Sequence, residues 1–236
     1  MNRFNNIAFE ISNQCNYSAI HPLCPNDPNA EPIFLETQII MDVMSAIGPD
    51  YQAQLYFSIY NEPLLDPRFF SLLDVSHIYL PKAYINLFTN GWNLNQWMLD
   101  ELVKKRVKNF HVAAYSPKEF ERLSKLEVSV ENVNYNVVET NLDNRLEIYN
   151  RQEATAERIS ELNLGECVWA PTSYLFITHK GEVALCCMDG HYTTTFGDLH
   201  TEKIEDIFAS DRVKEVCSNM KVGKRELPIC RQCCGS

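Results

Sequence analysis

The 236-residue sequence contains no long apolar run and no export signal. A helix that crosses a bilayer needs about 20 consecutive apolar residues, and the sequence has no such stretch. The first residues, MNRFNNIAFEIS, lead directly into a strand-like pattern and lack the apolar segment and small-residue cleavage site of a secretory signal. These absences predict a cytoplasmic protein.

Positive charge is also scarce. The chain has 21 Lys and Arg residues against 31 Asp and Glu residues, which gives a formal net charge of -10 at pH 7. Nucleic acids and anionic membranes gain much of their affinity for proteins from Lys and Arg contacts with phosphate. We therefore expect no nucleic-acid partner and no membrane partner.

Cysteine is absent from residues 25–166 and concentrated on both sides of that gap. Two of the nine cysteines precede it, at 15 and 24, and seven follow between 167 and 234. An odd number in a chain expected to be cytoplasmic disfavours a disulfide framework. Metal sites built from thiolates explain the distribution better.

Strand-like and helical patterns alternate along the first two thirds of the chain. Several of the strand-like runs are apolar on both faces, which is typical of parallel sheets covered by helices. Such runs occupy 6–12, 54–60, 83–89, 109–115, 133–139 and 145–150, and helical spacing occupies 35–48, 94–107 and 116–126. About six βα units predict an α/β fold, either a partial barrel or an open doubly wound sheet.

The pattern changes after Glu153, so we expect a second, smaller domain. A polar helical stretch covers 154–163, and residues 174–187, YLFITHKGEVALCC, alternate around the turn HKG as in a β-hairpin. Two short helical segments, 201–210 and 211–220, lead to the C-terminal sequence LPICRQCCGS. The predicted domains are residues 1–155 and 156–236.

The C-terminal cysteines carry the strongest metal-binding signal. Cys230 and Cys233 form a C-x-x-C pair, which can offer two thiolates to one metal centre. Cys186 ends the predicted hairpin and Cys167 lies upstream of it. Four thiolates suit a structural zinc ion or an iron–sulfur cluster equally well. Three thiols are left over: Cys187, Cys217 and Cys234.

A loop after the first predicted strand could hold a second metal. Its sequence, FEISNQCNYSAIHPLCPN, contains Cys15, His21 and Cys24, and both thiolate and imidazole are competent ligands. The motif YNEP (60–63) ends the second strand and TNG (89–91) ends the third. Carboxyl ends of parallel strands line the functional side of α/β sheets, so we expect the three segments to converge.

These motifs resemble those of radical S-adenosylmethionine (SAM) enzymes that carry a twitch domain, a truncated SPASM domain. The resemblance rests on EISNQC up to Cys15, NEP in place of the family's Gly-Glu-Pro, TNG, and Cys167…Gly181-x4-Cys186…Cys230-x2-Cys233. It spans nearly the whole chain and is strongest to small radical aminocyclitol dehydrogenases. It implies a partial (β/α)6 TIM-like barrel with a small β-hairpin-plus-helix twitch domain.

The resemblance also implies two [4Fe-4S] clusters and bound SAM. Cys15 and Cys24 match the first and last cysteines of the family's cluster loop, and His21 stands where the missing middle cysteine would be. The twitch cluster would be held by Cys167, Cys186, Cys230 and Cys233. The implied SAM contacts are Asn61 and Glu62 with the amino group, Thr89 and Asn90 near the ribose, the Leu23 backbone with the adenine, and Arg151 with the carboxylate. A surface salt bridge is the alternative role for Arg151.

The implied activity is reductive cleavage of SAM and removal of a substrate hydrogen atom, which dehydrogenates a sugar or aminocyclitol-like small molecule. An electron donor such as flavodoxin or ferredoxin would be required. If a spare thiol such as Cys187, Cys217 or Cys234 returned a hydrogen atom, the chain would be an epimerase acting on a sugar or a peptide. An epimerase or peptide-modifying enzyme is therefore the alternative, with Cys187 and Cys217 as its candidate catalytic residues. A zinc-ribbon binding protein without enzymatic activity is the third hypothesis.

Overall fold

Strands and helices alternate along the chain as the sequence predicts. The computed structural model describes residues 4–20, 24–140, 167 and 171–231. The strands are β1 Asn6–Phe9, β2 Gln54–Tyr56, β3 Tyr84–Thr89, β4 Val107–Ala114, β5 Asn134–Glu139, β6 Tyr174–Ile177, β7 Glu182–Ala184 and β8 Thr195–Asp198. The helices are α1 Thr37–Ile47, α2 Phe69–Tyr79, α3 Gln96–Lys104, α4 Pro117–Leu123, α5 Ile204–Ala209, α6 Asp211–Lys221 and α7 Pro228–Arg231, with a short 3-10 helix at Pro63–Leu65.

One sheet runs through the described part of the chain in the order β5-β4-β3-β2-β1-β6-β7-β8. The strands from β5 to β6 in this order are parallel, whereas β7 pairs antiparallel with both β6 and β8. The predicted hairpin is therefore confirmed, and it continues the sheet through the pairing of β6 with β1. The α/β class is also confirmed. The predicted strand at 145–150, the helix at 154–163, the domain boundary and the closure into a six-unit barrel depend on residues outside the described ranges and stay predictions.

The two faces of the sheet have different environments. Ile7, Leu55, Ile85 and Phe110 lie on one face and pack in a buried core with α1–α4. Burial of each such side chain contributes about 1.5–3 kcal/mol, so this core accounts for much of the fold's stability. The opposite face carries Tyr56, Phe88, His111 and Phe176 and lines a cavity. No helix among the described residues has the length and apolar character that crossing a membrane requires.

The second predicted strand is shorter than its sequence pattern suggests. β2 ends at Tyr56 rather than at residue 60. The Asn61 side chain donates to the Phe57 carbonyl at 3.2 Å and accepts from the Ile59 N–H at 3.2 Å. These bonds replace strand pairing by a compact turn, which brings the NEP motif to the carboxyl edge of the sheet.

Candidate active site

A cavity of about 470 Å³ lies at the carboxyl ends of the parallel strands. The segments after β1, β2 and β3 meet there, so the predicted convergence of three strand ends occurs in the structure. The predicted site residues on its wall are Cys15, Cys24, Asn61, Glu62, Thr89, Asn90 and Cys187. Leu23, His21, Arg151, Cys233 and Cys234 lie outside the described residues.

Glu62 connects the NEP and TNG motifs. Its side chain is buried, and its Oε1 accepts from Thr89 Oγ1 at 2.7 Å and from the Leu64 N–H at 3.1 Å, whereas Oε2 accepts from the Asn90 N–H at 2.7 Å. Burial raises the pKa of Glu62 to about 7, although the three hydrogen bonds favour the charged form. The Glu62 N–H donates to the Gln14 carbonyl at 2.8 Å, which attaches this motif to the cysteine loop.

Asn90 links the TNG motif to the cysteine loop directly. Its Nδ2 donates to Asn16 Oδ1 at 2.7 Å, and its Oδ1 accepts from the Trp92 N–H at 2.9 Å. The Asn90 side chain also hydrogen-bonds the Cys15 thiol. Glu62, Thr89 and Asn90 therefore form one connected network with the loop that carries Cys15.

The Cys15 thiol lies in surroundings suited to a metal-bound thiolate. Burial, with smaller contributions from the nearby Cys24 and Glu62, raises its pKa to about 11, although hydrogen bonds from the Tyr17 backbone and from Asn90 act in the opposite direction. A metal displaces the thiol proton, and donors pointing at the sulfur then stabilise the thiolate and tune the potential of an iron–sulfur centre. The two soft donors and these hydrogen bonds fit an iron–sulfur cluster.

A second group of thiols lies near the end of the hairpin. Burial strongly raises the pKa of Cys186, and the neighbouring Cys187 and Cys230 raise it further. Cys230 is buried in α7, and Cys167 packs against the same core, with its N–H bonded to the Met220 carbonyl at 3.1 Å. Within the described ranges no three potential ligands form a metal-binding group, and the predicted ligands His21 and Cys233 are outside those ranges.

The two thiols predicted to be catalytic have different locations. Cys187 lines the cavity together with Met188. Cys217 is buried in α6, where its sulfur lies 3.6 Å from the Pro171 carbonyl oxygen, and it is not among the described residues of the cavity wall. A catalytic role for either thiol stays a prediction.

Tyr17 is a site residue that the sequence prediction missed. Its hydroxyl donates to both carboxylate oxygens of Glu119, at 2.7 and 2.8 Å, and its ring packs against Tyr115 with centroids 4.6 Å apart. Burial and the Glu119 carboxylate raise the pKa of this phenol. Its proximity to Cys15 in the sequence is the one signal that could have identified it.

An aromatic wall was also missed. On the sheet face that lines the cavity, Phe88 and His111 stack with centroids 4.4 Å apart and an interplanar angle of 11°. Tyr174 and Phe176 stack with centroids 5.3 Å apart and an angle of 6°. Alternation along β3, β4 and β6 places these residues on the face opposite the core, and this alternation was the available signal.

The C-terminal residues are joined to the segment after β2 and to the end of β1. The Tyr60 hydroxyl donates to the Cys187 carbonyl. Glu10, which is 0% exposed, lies after β1, and its Oε2 is 2.6 Å from His179 Nδ1 in the hairpin turn. These contacts fix the wall that carries Cys187 relative to the wall that carries Cys15.

Comparisons with known proteins agree with these observations. Residues 167–234 match the SPASM family, an iron–sulfur cluster-binding domain. The chain is 23% identical over 247 residues to the S-adenosyl-L-methionine-dependent 2-deoxy-scyllo-inosamine dehydrogenase of Niallia circulans, an alignment that covers 98% of this chain and 92% of the relative. The predicted resemblance to SAM-dependent enzymes with a SPASM-type module is thus confirmed.

Solved structures share the fold. The crystal structure of BtrN in complex with AdoMet and 2-DOIA aligns with a TM-score of 0.75 and 23% identity, over 97% of this chain and 92% of that chain. Native anSMEcpe with bound AdoMet and Cp18Cys peptide aligns with a TM-score of 0.58 and 11% identity, over 98% of this chain and 87% of that one. At these identities the likeness concerns the fold alone.

Proposed function

We propose that the chain is a radical SAM enzyme that cleaves SAM reductively and removes a hydrogen atom from a sugar or aminocyclitol-like small molecule, which is dehydrogenated. The observation that carries this proposal is the single network joining Cys15, Asn90 and Glu62 at one cavity. The similarity to a SAM-dependent aminocyclitol dehydrogenase supports the reaction class. An electron donor such as flavodoxin or ferredoxin would supply the reducing electron.

Two clusters and SAM would be held by the residues that the sequence predicts. Cys15, His21 and Cys24 would hold the first cluster, and Cys167, Cys186, Cys230 and Cys233 the second. SAM would contact Leu23, Asn61, Glu62, Thr89, Asn90 and Arg151. When bound, the reduced cluster and SAM together supply a carbon radical able to remove a hydrogen atom.

Glu62 is suited to hold the SAM ammonium group. An ionised carboxylate has about four lone-pair sites, and three are occupied by the donors from Thr89, Asn90 and Leu64. These donors fix the orientation of the carboxylate and leave one site on Oε2. An ammonium group there would favour the charged form of Glu62, which burial otherwise disfavours.

An epimerase or a peptide-modifying enzyme is the second candidate. The observation that favours it is the Cys187 thiol on the cavity wall, which could return a hydrogen atom to the substrate. Dehydrogenation gives a ketone that incorporates no hydrogen from the solvent. Epimerisation gives an isomer of unchanged mass that carries one solvent deuterium when the reaction runs in D2O.

Anaerobic purification and reconstitution test the proposal. Two clusters predict about eight irons per chain and a brown protein that releases deoxyadenosine when given SAM and dithionite. Cys15→Ala and Cys230→Ala should each lose about half of the iron, because each removes a ligand of a different four-iron cluster. Cys15→Ala and His21→Ala should also lose all SAM cleavage. A colourless protein that holds only zinc would instead support the zinc-ribbon hypothesis.

A further inference from the structure

The cavity wall carries an imidazole in a fixed orientation. His111 lies on β4 opposite Phe88 of β3, and the two rings stack almost in parallel. Stacking uses the ring face and leaves the ring edge, which carries both nitrogens, available for hydrogen bonds, and His111 is among the residues that line the cavity. Among the described residues, no group hydrogen-bonds these ring nitrogens.

Glu62, Tyr56 and Tyr174 also line this wall and are poorly suited to accept the substrate proton. Three donors hold the Glu62 carboxylate, and its remaining lone-pair site is the one assigned above to the SAM ammonium group. Burial raises the pKa of Tyr56 to about 12 and also raises the pKa of Tyr174, so these phenols stay protonated. Partial burial lowers the pKa of His111, which keeps its imidazole neutral and able to accept a proton near pH 7.

Resting on the function proposed above, we propose that His111 is a catalytic residue, the base that accepts the hydroxyl proton of the substrate during dehydrogenation. The C–H and O–H bonds of the carbinol break and a C=O bond forms. The hydrogen atom goes to the deoxyadenosyl carbon derived from SAM, and the proton goes to a ring nitrogen of His111. The remaining electron goes to an iron–sulfur centre held by residues 167–234.

The effect of His111 protonation on ketone formation can be measured separately from the titration of the groups around it. Its register neighbours, Phe88 on β3 and Asn136 on β5, are uncharged. Glu62 is the one carboxylate among the described residues of the cavity wall, and its titration would act on SAM cleavage. The ratio of ketone to deoxyadenosine therefore isolates the proton transfer. This ratio should fall as the pH drops through the pKa of His111.

Three variants of the full, reconstituted chain test this role. His111→Phe keeps a stacking ring and removes both nitrogens, and His111→Gln keeps a polar group that is not basic. His200→Gln is the control, because His200 is partly exposed and pairs with Asp198 away from the cavity. Each is incubated anaerobically with SAM, dithionite and 2-deoxy-scyllo-inosamine or scyllo-inositol, and deoxyadenosine and ketone are quantified.

We expect both His111 variants to release deoxyadenosine within about twofold of the wild type, whereas ketone formation falls by about 100-fold, the usual effect of losing a general base. In a further variant, His111→Ala, which removes the whole ring, added imidazole should restore ketone formation by about tenfold. Ketone formation at the wild-type rate in His111→Phe, or an unchanged ratio of ketone to deoxyadenosine in both variants, would overturn the proposal. Wild-type protein that releases no deoxyadenosine would overturn the proposed function itself, a result that needs no variant.

Discussion

Glu62 is the residue whose protonation should respond to SAM. Burial raises its pKa from 4.5 to about 7, so the folded state binds this proton more tightly than the unfolded chain. The SAM-free protein should therefore lose stability as the pH rises from 4.5 to about 7. An ammonium group beside the carboxylate lowers the pKa again. Binding of SAM near pH 7 should thus expel the proton.

We expect SAM binding at pH 7 to release up to about half a proton per site, because a group whose pKa equals the pH is about half protonated. Anaerobic calorimetry of the reconstituted protein, in two buffers with different ionisation enthalpies, measures this number. At pH 9, where Glu62 is already ionised, its contribution should disappear. Equal binding heats in the two buffers at pH 7 would contradict the assigned contact.

Single site residues were predictable where a residue type suited to binding SAM or a metal also follows a predicted strand. Cys15, Glu62 and Asn90 were identified because they follow strands and match motifs, and the structure brings them to one cavity. The partner of Tyr17 was not predictable, because Glu119 is 102 residues away and local patterns contain no information on such contacts. Whether the predicted residues bind SAM and iron stays a prediction.

At the scale of elements, the loop after β1 depends on α4. Glu119 is the third residue of that helix, and its N–H donates to the capping hydroxyl of Ser116 at 3.2 Å. Its carboxylate accepts from Tyr17 rather than from the N-cap backbone. The helix start therefore anchors the loop that presents Cys15.

Removal of this anchor should destabilise the protein measurably. Tyr17→Phe should lower the free energy of unfolding by about 1.5–3 kcal/mol, the usual cost of losing a hydrogen bond to a charged group. A double-mutant cycle with Glu119→Gln, measured by urea unfolding, should give a coupling energy of about 1 kcal/mol. Tyr84→Phe, at a half-exposed ring on β3, is the control and should have little effect. Additive effects of Tyr17→Phe and Glu119→Gln would contradict the anchor.

Element prediction succeeded where periodicity was strong. α1 and α3 place apolar residues on one face only, and both were predicted. α2 was missed because FFSLLDVSHIY has apolar residues on nearly every side, including the exposed Ile78, so it lacks the contrast of an amphipathic helix. β8 was missed because its four residues, TFGD, show no clear alternation.

The whole molecule is organised around a sheet shared by the two predicted domains. Composition and cysteine spacing predicted two regions, but they could not predict that β6 would pair with β1. Pairing between strands distant in sequence depends on tertiary packing. Because the hairpin continues the sheet, the walls that carry Cys15 and Cys187 belong to one structural unit.

If the two regions form one structural unit, they should unfold together, and substitution of Glu10 tests this. It is fully buried between β1 and the hairpin turn, where its carboxylate contacts the ring and the N–H of His179. Glu10→Ala should cost about 2–3 kcal/mol, because a buried donor is left unsatisfied. Hydrogen exchange followed by mass spectrometry should show peptides from β3 and β7 losing protection to the same extent. The exposed Asp50→Ala should change neither peptide, and loss of protection in β7 alone would show that the two regions unfold independently.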